Sequence, residues 1–261
     1  MTTVDFITAL FCRIDDAMQA VPKHPQASLH PSEVVTLALL FALKGVGNRP
    51  FYRWLVRDYR PLFPRLPERT RLFRLFAIHQ DWTTYFLAEP TVLGVADSYG
   101  VELLHPWREG RTAEQIGRKG LSNHRWIVGG KLAVVLNKWG VVCAWAAATA
   151  NVHDSAFHAL IAQFAEQMIV LTDHHFLLKE GNPPNMKVCA RGTWNDRMVV
   201  ETLFSMLTTV CHFKKVLHRG WRYFTMRLAF TVAVFNVLAQ WDGLPLDDHG
   251  EAHLSIAQFS L

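Results

Sequence analysis

The sequence predicts an α/β protein, a mixed sheet flanked by helices and preceded by a helical N-terminal region. Three observations carry this. Apolar residues recur at three- and four-residue spacing over roughly the first 88 positions. Near Pro90 the pattern changes to short apolar runs of strand length, and helical periodicity returns over residues 194–209. Half of the 261 residues are hydrophobic. That composition supports one large domain, or a medium domain with a smaller attachment, and argues against disorder. The expected divisions are 1–88, 89–240 and an acidic tail at 241–261.

In the first division Phe6, Leu10, Phe11 and Ile14 mark one helix. A second, carrying Val34, Val35, Leu37, Leu39 and Leu40, is expected to take Ser32 as its cap. Gly45, Gly47 and Pro50 punctuate the chain before a further helix from Phe51 to about Asp58, and Pro61, Pro64 and Pro67 lead stiffly into a basic segment from Arg69. After Pro90, Val92–Ala96 forms an apolar run that is expected to stop at Asp97. Trp126–Leu136 and Val141–Thr149 read as strands joined by a hairpin turn at Asn137-Lys138-Trp139-Gly140. His153–Gln167 reads as a helix. Met168–Thr172 and Met186–Ala190 read as strands, and Trp194–Thr209 as a helix. The order β-β-β-α-β-β-α fits an α/β domain of ribonuclease-H-like type. The stretch from Arg71 to Arg118 gives no clear pattern.

Net charge is +5, and the charge is clustered. Lys44 to Arg74 carries nine basic residues against Asp58 and Glu68, a local balance of +7 that includes Arg53, Arg57, Arg69 and Arg71. A second basic run holds Lys214, Lys215, Arg219, Arg222 and Arg227, with no acid between Thr202 and Gln240. Clusters of this kind suit an anionic partner such as nucleic acid, although a solvated helical face accounts for either one alone. The four cysteines form no C-x-x-C pair, which argues for reduced thiols and against a zinc ribbon. The start of the chain lacks the features of a signal peptide, and the longest apolar stretch, Leu228–Leu238, is too short to cross a bilayer. A cytoplasmic protein with no membrane partner is expected.

Two aspartates each end an apolar strand-like run, V-L-G-V-A-D at Asp97 and M-I-V-L-T-D at Asp173. Side by side in a sheet, these strands would deliver both carboxylates to neighbouring positions. Glu201 lies beside the helical stripe Val200, Leu203, Phe204, Leu207, at the border where a side chain can reach the sheet beneath. Three clustered carboxylates repel one another by several kcal/mol per pair at about 4 Å, a cost that divalent cations remove. Hard oxygen donors suit Mg²⁺, or Mn²⁺ as substitute, and two such ions serve in-line phosphoryl transfer. Singly, each acid is equally a turn former, a cap or a solvated side chain; the set carries the reading.

Here the sequence resembles the DDE transposases of bacterial insertion sequences. Their last acid sits in a helical signature Y-x-x-R-x-x-x-E-x-x-x-x-x-x-K. Arg197 and Glu201 match it, Trp194 replaces the Tyr, and Thr208 stands where the Lys belongs. Leu171-Thr172-Asp173, Asn151-Val152-His153-Asp154 and Ser32–Leu37 resemble further family segments, over roughly residues 30–240. The resemblance implies a metal-dependent enzyme that cuts DNA ends and joins strands, with Asp97, Asp173 and Glu201 as catalytic and metal-binding residues. Its partners would be double-stranded DNA with terminal inverted repeats and a target DNA, engaged as a homodimer. Arg197 would hold a phosphate or orient Glu201, the other reading being a surface ion pair. Lys214 and Lys215 are candidates for the missing Lys. Lys131 either faces substrate or is an exposed strand lysine, and Trp107, Trp194 and Trp221 are candidates for stacking on an unpaired base.

Competing readings remain. Thr172-Asp173-His174-His175 suggests a DHH phosphoesterase, but Asp97-Ser98-Tyr99-Gly100 does not supply the D-x-D-G element such enzymes need. No histidine spacing matches a zinc hydrolase. A catalytically idle DNA-binding protein derived from a transposase, or a ribonuclease-H-fold nuclease, stays open.

Overall fold

A computed structural model describes residues 1–122, 125–189, 198–213, 216, 218, 220–248, 250 and 252–261. Helix α1, Thr3–Ala17, begins with a reciprocal cap in which Asp5 N–H donates to Thr2 Oγ1 and Thr2 N–H to Asp5 Oδ2. It buries Phe6, Ile7, Leu10 and Ile14. Helix α2, Pro31–Lys44, buries nearly its whole circumference and is a core helix. Its cap differs from the expected one. His30 is the N-cap, Pro31 occupies the first turn, and Glu33 accepts the His30 N–H at 2.6 Å. Ser32 lies inside the helix, where its hydroxyl donates to Asp15 and ties α2 to α1. Pro31 is suited to the first turn because its absent N–H has no partner to lose there. Helices α3, Asn48–Asp58, and α4, Arg69–Ile78, follow.

The sheet contains β1 (Leu93–Leu104), β2 (Arg118–Ser122), β3 (Arg125–Asn137), β4 (Val142–Thr149), β5 (Ile169–Thr172) and β6 (Met186–Val188). Strand β3 pairs antiparallel with β1 on one side. On its other side it pairs with β2 along its first half and β4 along its second. Strands β5 and β6 continue from β1 in parallel, giving a path β4–β3–β1–β5–β6. The Asn137–Gly140 turn forms as expected: Asn137 Oδ1 accepts the N–H groups of Trp139 and Val141, and Gly140 adopts φ +79°. One face, with Val95, Val101, Leu132 and Val134, shares a continuous core with the N-terminal helices, α6 (Met198–Thr209) and α7 (Trp221–Ala239). The opposite face, with Ala96, Ala133 and Val135, is covered by Phe157, Ile161 and Phe176.

Three segments depart from the sequence expectation. Strand β1 does not stop at Asp97 but runs seven residues further to Leu104, because β3 offers a partner along that whole length. The unpatterned stretch before Arg118 leads into β2, an edge strand. Residues 153–167 form only a 3-10 turn, Asp154–Phe157, and the short helix α5, His158–Ala162. Beyond Ala162 the chain closes i→i+3 turns, as in Phe164 N–H to Ile161 O, so the helix does not propagate. Trp241 and Phe259 pack back on α1, stacking around Phe6, and Arg13 lies 4.3 Å from the Trp241 ring centre. Among the described residues no single helix is long and apolar enough to cross a membrane; α2 and α3 reach the length only as a pair bent by 117°.

Buried Asn236 of α7 joins layers that apolar packing alone would not lock. Its Oδ1 accepts Val142 N–H at 3.0 Å, and its Nδ2 donates to Phe86 O and Val142 O, both at 2.8 Å. Asn236→Leu should cost about 2–5 kcal/mol in urea unfolding, because buried backbone groups lose their partners. A loss below about 1 kcal/mol would show that the clamp is dispensable.

Candidate active site

The register of β1 against β5 sets the positions of the aspartates. Val95 is level with Leu171 in a parallel pair, so Asp97 and Asp173 each lie two residues beyond the same rung. Asp173 keeps extended backbone, φ −87° and ψ 178°, one residue past the end of β5. Side chains two apart in extended chain share a face. Both carboxylates thus follow Val95 and Leu171, which pack into the core on the α6 side. The equivalence of the two aspartates is a property of pairing, and adjacent strands lie only about 4.8 Å apart.

Helix α6 packs on that same face. Its buried stripe is Val200, Leu203, Phe204, Met206 and Leu207, and Phe204 stacks on Tyr99 of β1 with ring centres 5.1 Å apart. Glu201, Phe204, Ser205 and Thr208 border the opening over the sheet. A single cleft of about 870 Å³ is therefore lined by Asp97, Asp173 and Glu201 together. Thr208, at the position where the resembled signature has Lys, faces it as well, its hydroxyl donating to Ser205 O. The three carboxylates share the cleft without closing into a cage: among the described residues, no three of these donor side chains converge tightly enough to hold an ion. In donor chemistry they fit a hard divalent cation, with the two strand aspartates as the pair and Glu201 across the opening.

His175 stands beside the strand pair. Its Nδ1 lies 2.9 Å from Asp173 Oδ2, and Asp173 Oδ1 also accepts the His175 backbone N–H at 2.9 Å. The hydrogen bond and charge of Asp173, with smaller contributions from Asp154 and Asp97, hold the imidazole above its ordinary value. Asp97, Asp154, Asp173 and His175 all line the one cleft.

Behind Asp97, Ser98 Oγ donates to Asp154 Oδ1 at 2.7 Å, and Lys131 Nζ reaches the same oxygen at 2.7 Å and Val152 O at 2.8 Å. Lys131 is 12% exposed and Asp154 14%. Lys131 therefore borders the cleft with its ammonium engaged, and it is not the exposed strand lysine that the sequence also allowed. Asp154 and Ser98 are the residues that sequence reasoning passed over as site members, and His175 reads in sequence as a loop residue or a neighbour of the metals. Asp154 lay within the recognised Asn151–Asp154 segment, and His175 next to Asp173, but neither spacing disclosed the contacts. On the far rim β2 and β3 contribute Lys119, Leu121 and Trp126, with Leu121 and Trp126 more than half exposed. Gly120 lets this rim approach closely, since a Cβ there would collide with the Ala150 carbonyl.

The basic candidates are dispersed. Arg53, Arg57, Arg71 and Arg222 are exposed and Arg69 half-buried; Arg57 pairs with Asp58 at 2.7 Å. Trp107 is 81% exposed on a 3-10 turn after β1, and Trp221 is half-buried at the start of α7. Trp194, Arg197, Lys214, Lys215 and Arg219 lie outside the described residues. Helix α6 ends at Thr209.

A double-mutant cycle with Lys131→Met and Asp154→Asn should give a coupling of about 1–2 kcal/mol, the pair being partly buried and joined by a charged hydrogen bond. Additivity within about 0.3 kcal/mol would remove the brace from the site. Comparison with known proteins returned no match: no family model fits the chain, and no curated protein or solved structure is significantly similar to it.

Proposed function

We propose that this chain is a DNA-cutting and strand-joining enzyme of the insertion-sequence transposase kind, built on a ribonuclease-H-like core. The observation that carries the reading is the shared cleft. One carboxylate comes from each of two adjacent parallel strands at equal register, and a third from a late helix packed over the same face. The strand path β4–β3–β1–β5–β6, antiparallel then parallel, supports the core assignment.

Asp97, Asp173 and Glu201 are the residues that would hold Mg²⁺ or Mn²⁺, two ions in this reading. Bound there, the cations would supply charge neutralisation and a water acidic enough to attack a phosphodiester. The protein's own part is positional. The Lys131–Asp154–Ser98 brace fixes the strand segment that carries Asp97. The Tyr99–Phe204 stack holds the helix that carries Glu201. Lys119, Trp126 and Leu121 offer a cation and two apolar surfaces to a strand entering the cleft. The arginines of α3 and α4 provide phosphate contacts on the proposed DNA-binding region, residues 1–88.

The open arrangement of the carboxylates favours one second reading, a DNA-binding protein that no longer cuts. Both are tested by incubating the protein with DNA carrying the terminal inverted repeats of its own element in Mg²⁺ or Mn²⁺. End cleavage and strand joining are expected, falling at least about a thousandfold (~4 kcal/mol) in Asp97→Ala. Activity that survives this substitution removes the catalytic assignment. Binding without cleavage by the wild type selects the second reading, and cleavage without joining selects a nuclease. In either DNA-binding case affinity should fall steeply with salt as phosphate contacts release counterions. A flat dependence would exclude DNA as the partner.

A further inference from the structure

A second cavity, of about 620 Å³, lies where α2 turns into α3 and where the chain enters α7. Among its described lining residues are Gly47, Asn48, His212, His218, Gly220 and Arg227, and no Asp or Glu. Gly47 and Gly220 are the N-caps of α3 and α7, and neither helix has a side-chain cap. The starts of two helices therefore border one space, each with the partial positive charge of a helix N-terminus.

Arg227 gives that space its chemistry. It is 3% exposed, so its full charge is buried. One nitrogen donates to Ala42 O at 3.2 Å and the guanidinium lies 4.4 Å over the Phe41 ring, but its Nε has no hydrogen-bond acceptor. No carboxylate pairs with it among the described residues. Burial pushes its pKa down to about 10, and burial followed by the Arg227 charge pushes His218 down to about 4. An uncompensated buried cation is costly, and an anion would relieve that cost. His212 is the one described non-glycine residue with positive φ, +53°, and its ring occupies the space that Gly45 leaves by lacking a Cβ. Strained backbone of this kind persists where the surroundings hold it, often beside ligands.

We propose that this cavity is a phosphate-binding site, and we assign its occupant to the phosphodiester backbone of DNA. The assignment to DNA rests on the function proposed above; the phosphate chemistry does not. Two helix N-termini, a buried guanidinium and two imidazoles match a tetrahedral oxyanion. The two spaces are neighbours along the chain: Thr208 borders the cleft, and His212, four residues on, borders the cavity. A strand whose scissile phosphate lies at the carboxylates would carry a neighbouring phosphate toward Arg227.

The test uses the full chain and two variants, Arg227→Met and Asn48→Asp. The second adds a carboxylate at a helix N-terminus, where it is well tolerated, and keeps the experiment decisive if Arg227→Met fails to fold. Thermal unfolding is measured in sodium phosphate against sodium chloride at equal ionic strength. Duplex DNA binding is followed in parallel by fluorescence anisotropy. Saturating phosphate should raise the wild-type Tm by about 3–8 °C and leave both variants unmoved. DNA affinity should fall about tenfold in the variants, with the salt slope reduced by about one. Equal phosphate shifts in wild type and folded variants, or none in any, overturn the site. A phosphate shift lost in the variants with unchanged DNA affinity keeps the site and overturns its assignment to DNA. A phosphate shift in a wild-type protein that binds no DNA keeps the site and sinks the DNA reading itself.

Discussion

The parallel pairing of β1 with β5 is the constraint from which the rest of the site follows. Parallel strands require a crossover, and the chain makes one from β4 through α5 before it reaches Ile169. Packing is close three residues before Asp97, where Gly94 pairs with Val170. A Cβ on Gly94 would collide with the Met168 sulfur and the Leu136 carbonyl, so the strands meet there only because residue 94 is glycine. A slip of one residue would turn Asp173 to the opposite face and separate it from Asp97. The third carboxylate depends on a different contact, the stack of Phe204 on Tyr99, which seats α6 across the same strand.

Electrostatics then divides the molecule. Aspartates 97, 154 and 173 line one cleft together with His175 and Lys131. Lys131 is consumed by Asp154 and a carbonyl, and His175 by Asp173. The internal cations thus neutralise part of the cleft while Glu201 stays exposed on its rim. Arginines of α3 and α4 stand apart, on helices whose other faces are buried in the common core. Under the proposed function, attraction for DNA and chemistry on it would fall to different elements.

Helix α7 ties the second proposed site to the body of the fold. Helix α7 is buried over most of its length, and its buried polar residues bond to the surrounding fold: Thr231 bonds back to Arg227 O, Asn236 clamps β4, and Arg227 reaches the end of α2. Nineteen residues of core helix thereby fix the cavity relative to the cleft, since the same helix rests on β3 at Gly130 through Phe224.

Much of this was written in local patterns. Periodicity located α1, α2, α3 and α6; the Asn137–Gly140 turn announced the β3–β4 hairpin; and two apolar runs ending in aspartate pointed to Asp97 and Asp173 as a pair. These features are legible because they depend on neighbours within a few residues. The sequence could not show that β1 runs on to Leu104, that residues 153–167 break into a 3-10 turn and a short helix, or that Pro31 displaces Ser32 from the cap. In each case a partner distant in the chain, or a competing local bond, outweighs propensity. Lys131, read as a substrate contact or an exposed lysine, is bound to Asp154, twenty-three residues away. Arg227, read as one member of a basic run, is a buried charge beside two helix ends. Residue type and spacing determined which groups the protein possesses. Long-range strand register and helix packing alone decided which of them share a space, because no interaction between nearest neighbours encodes a meeting of residues 97, 173 and 201.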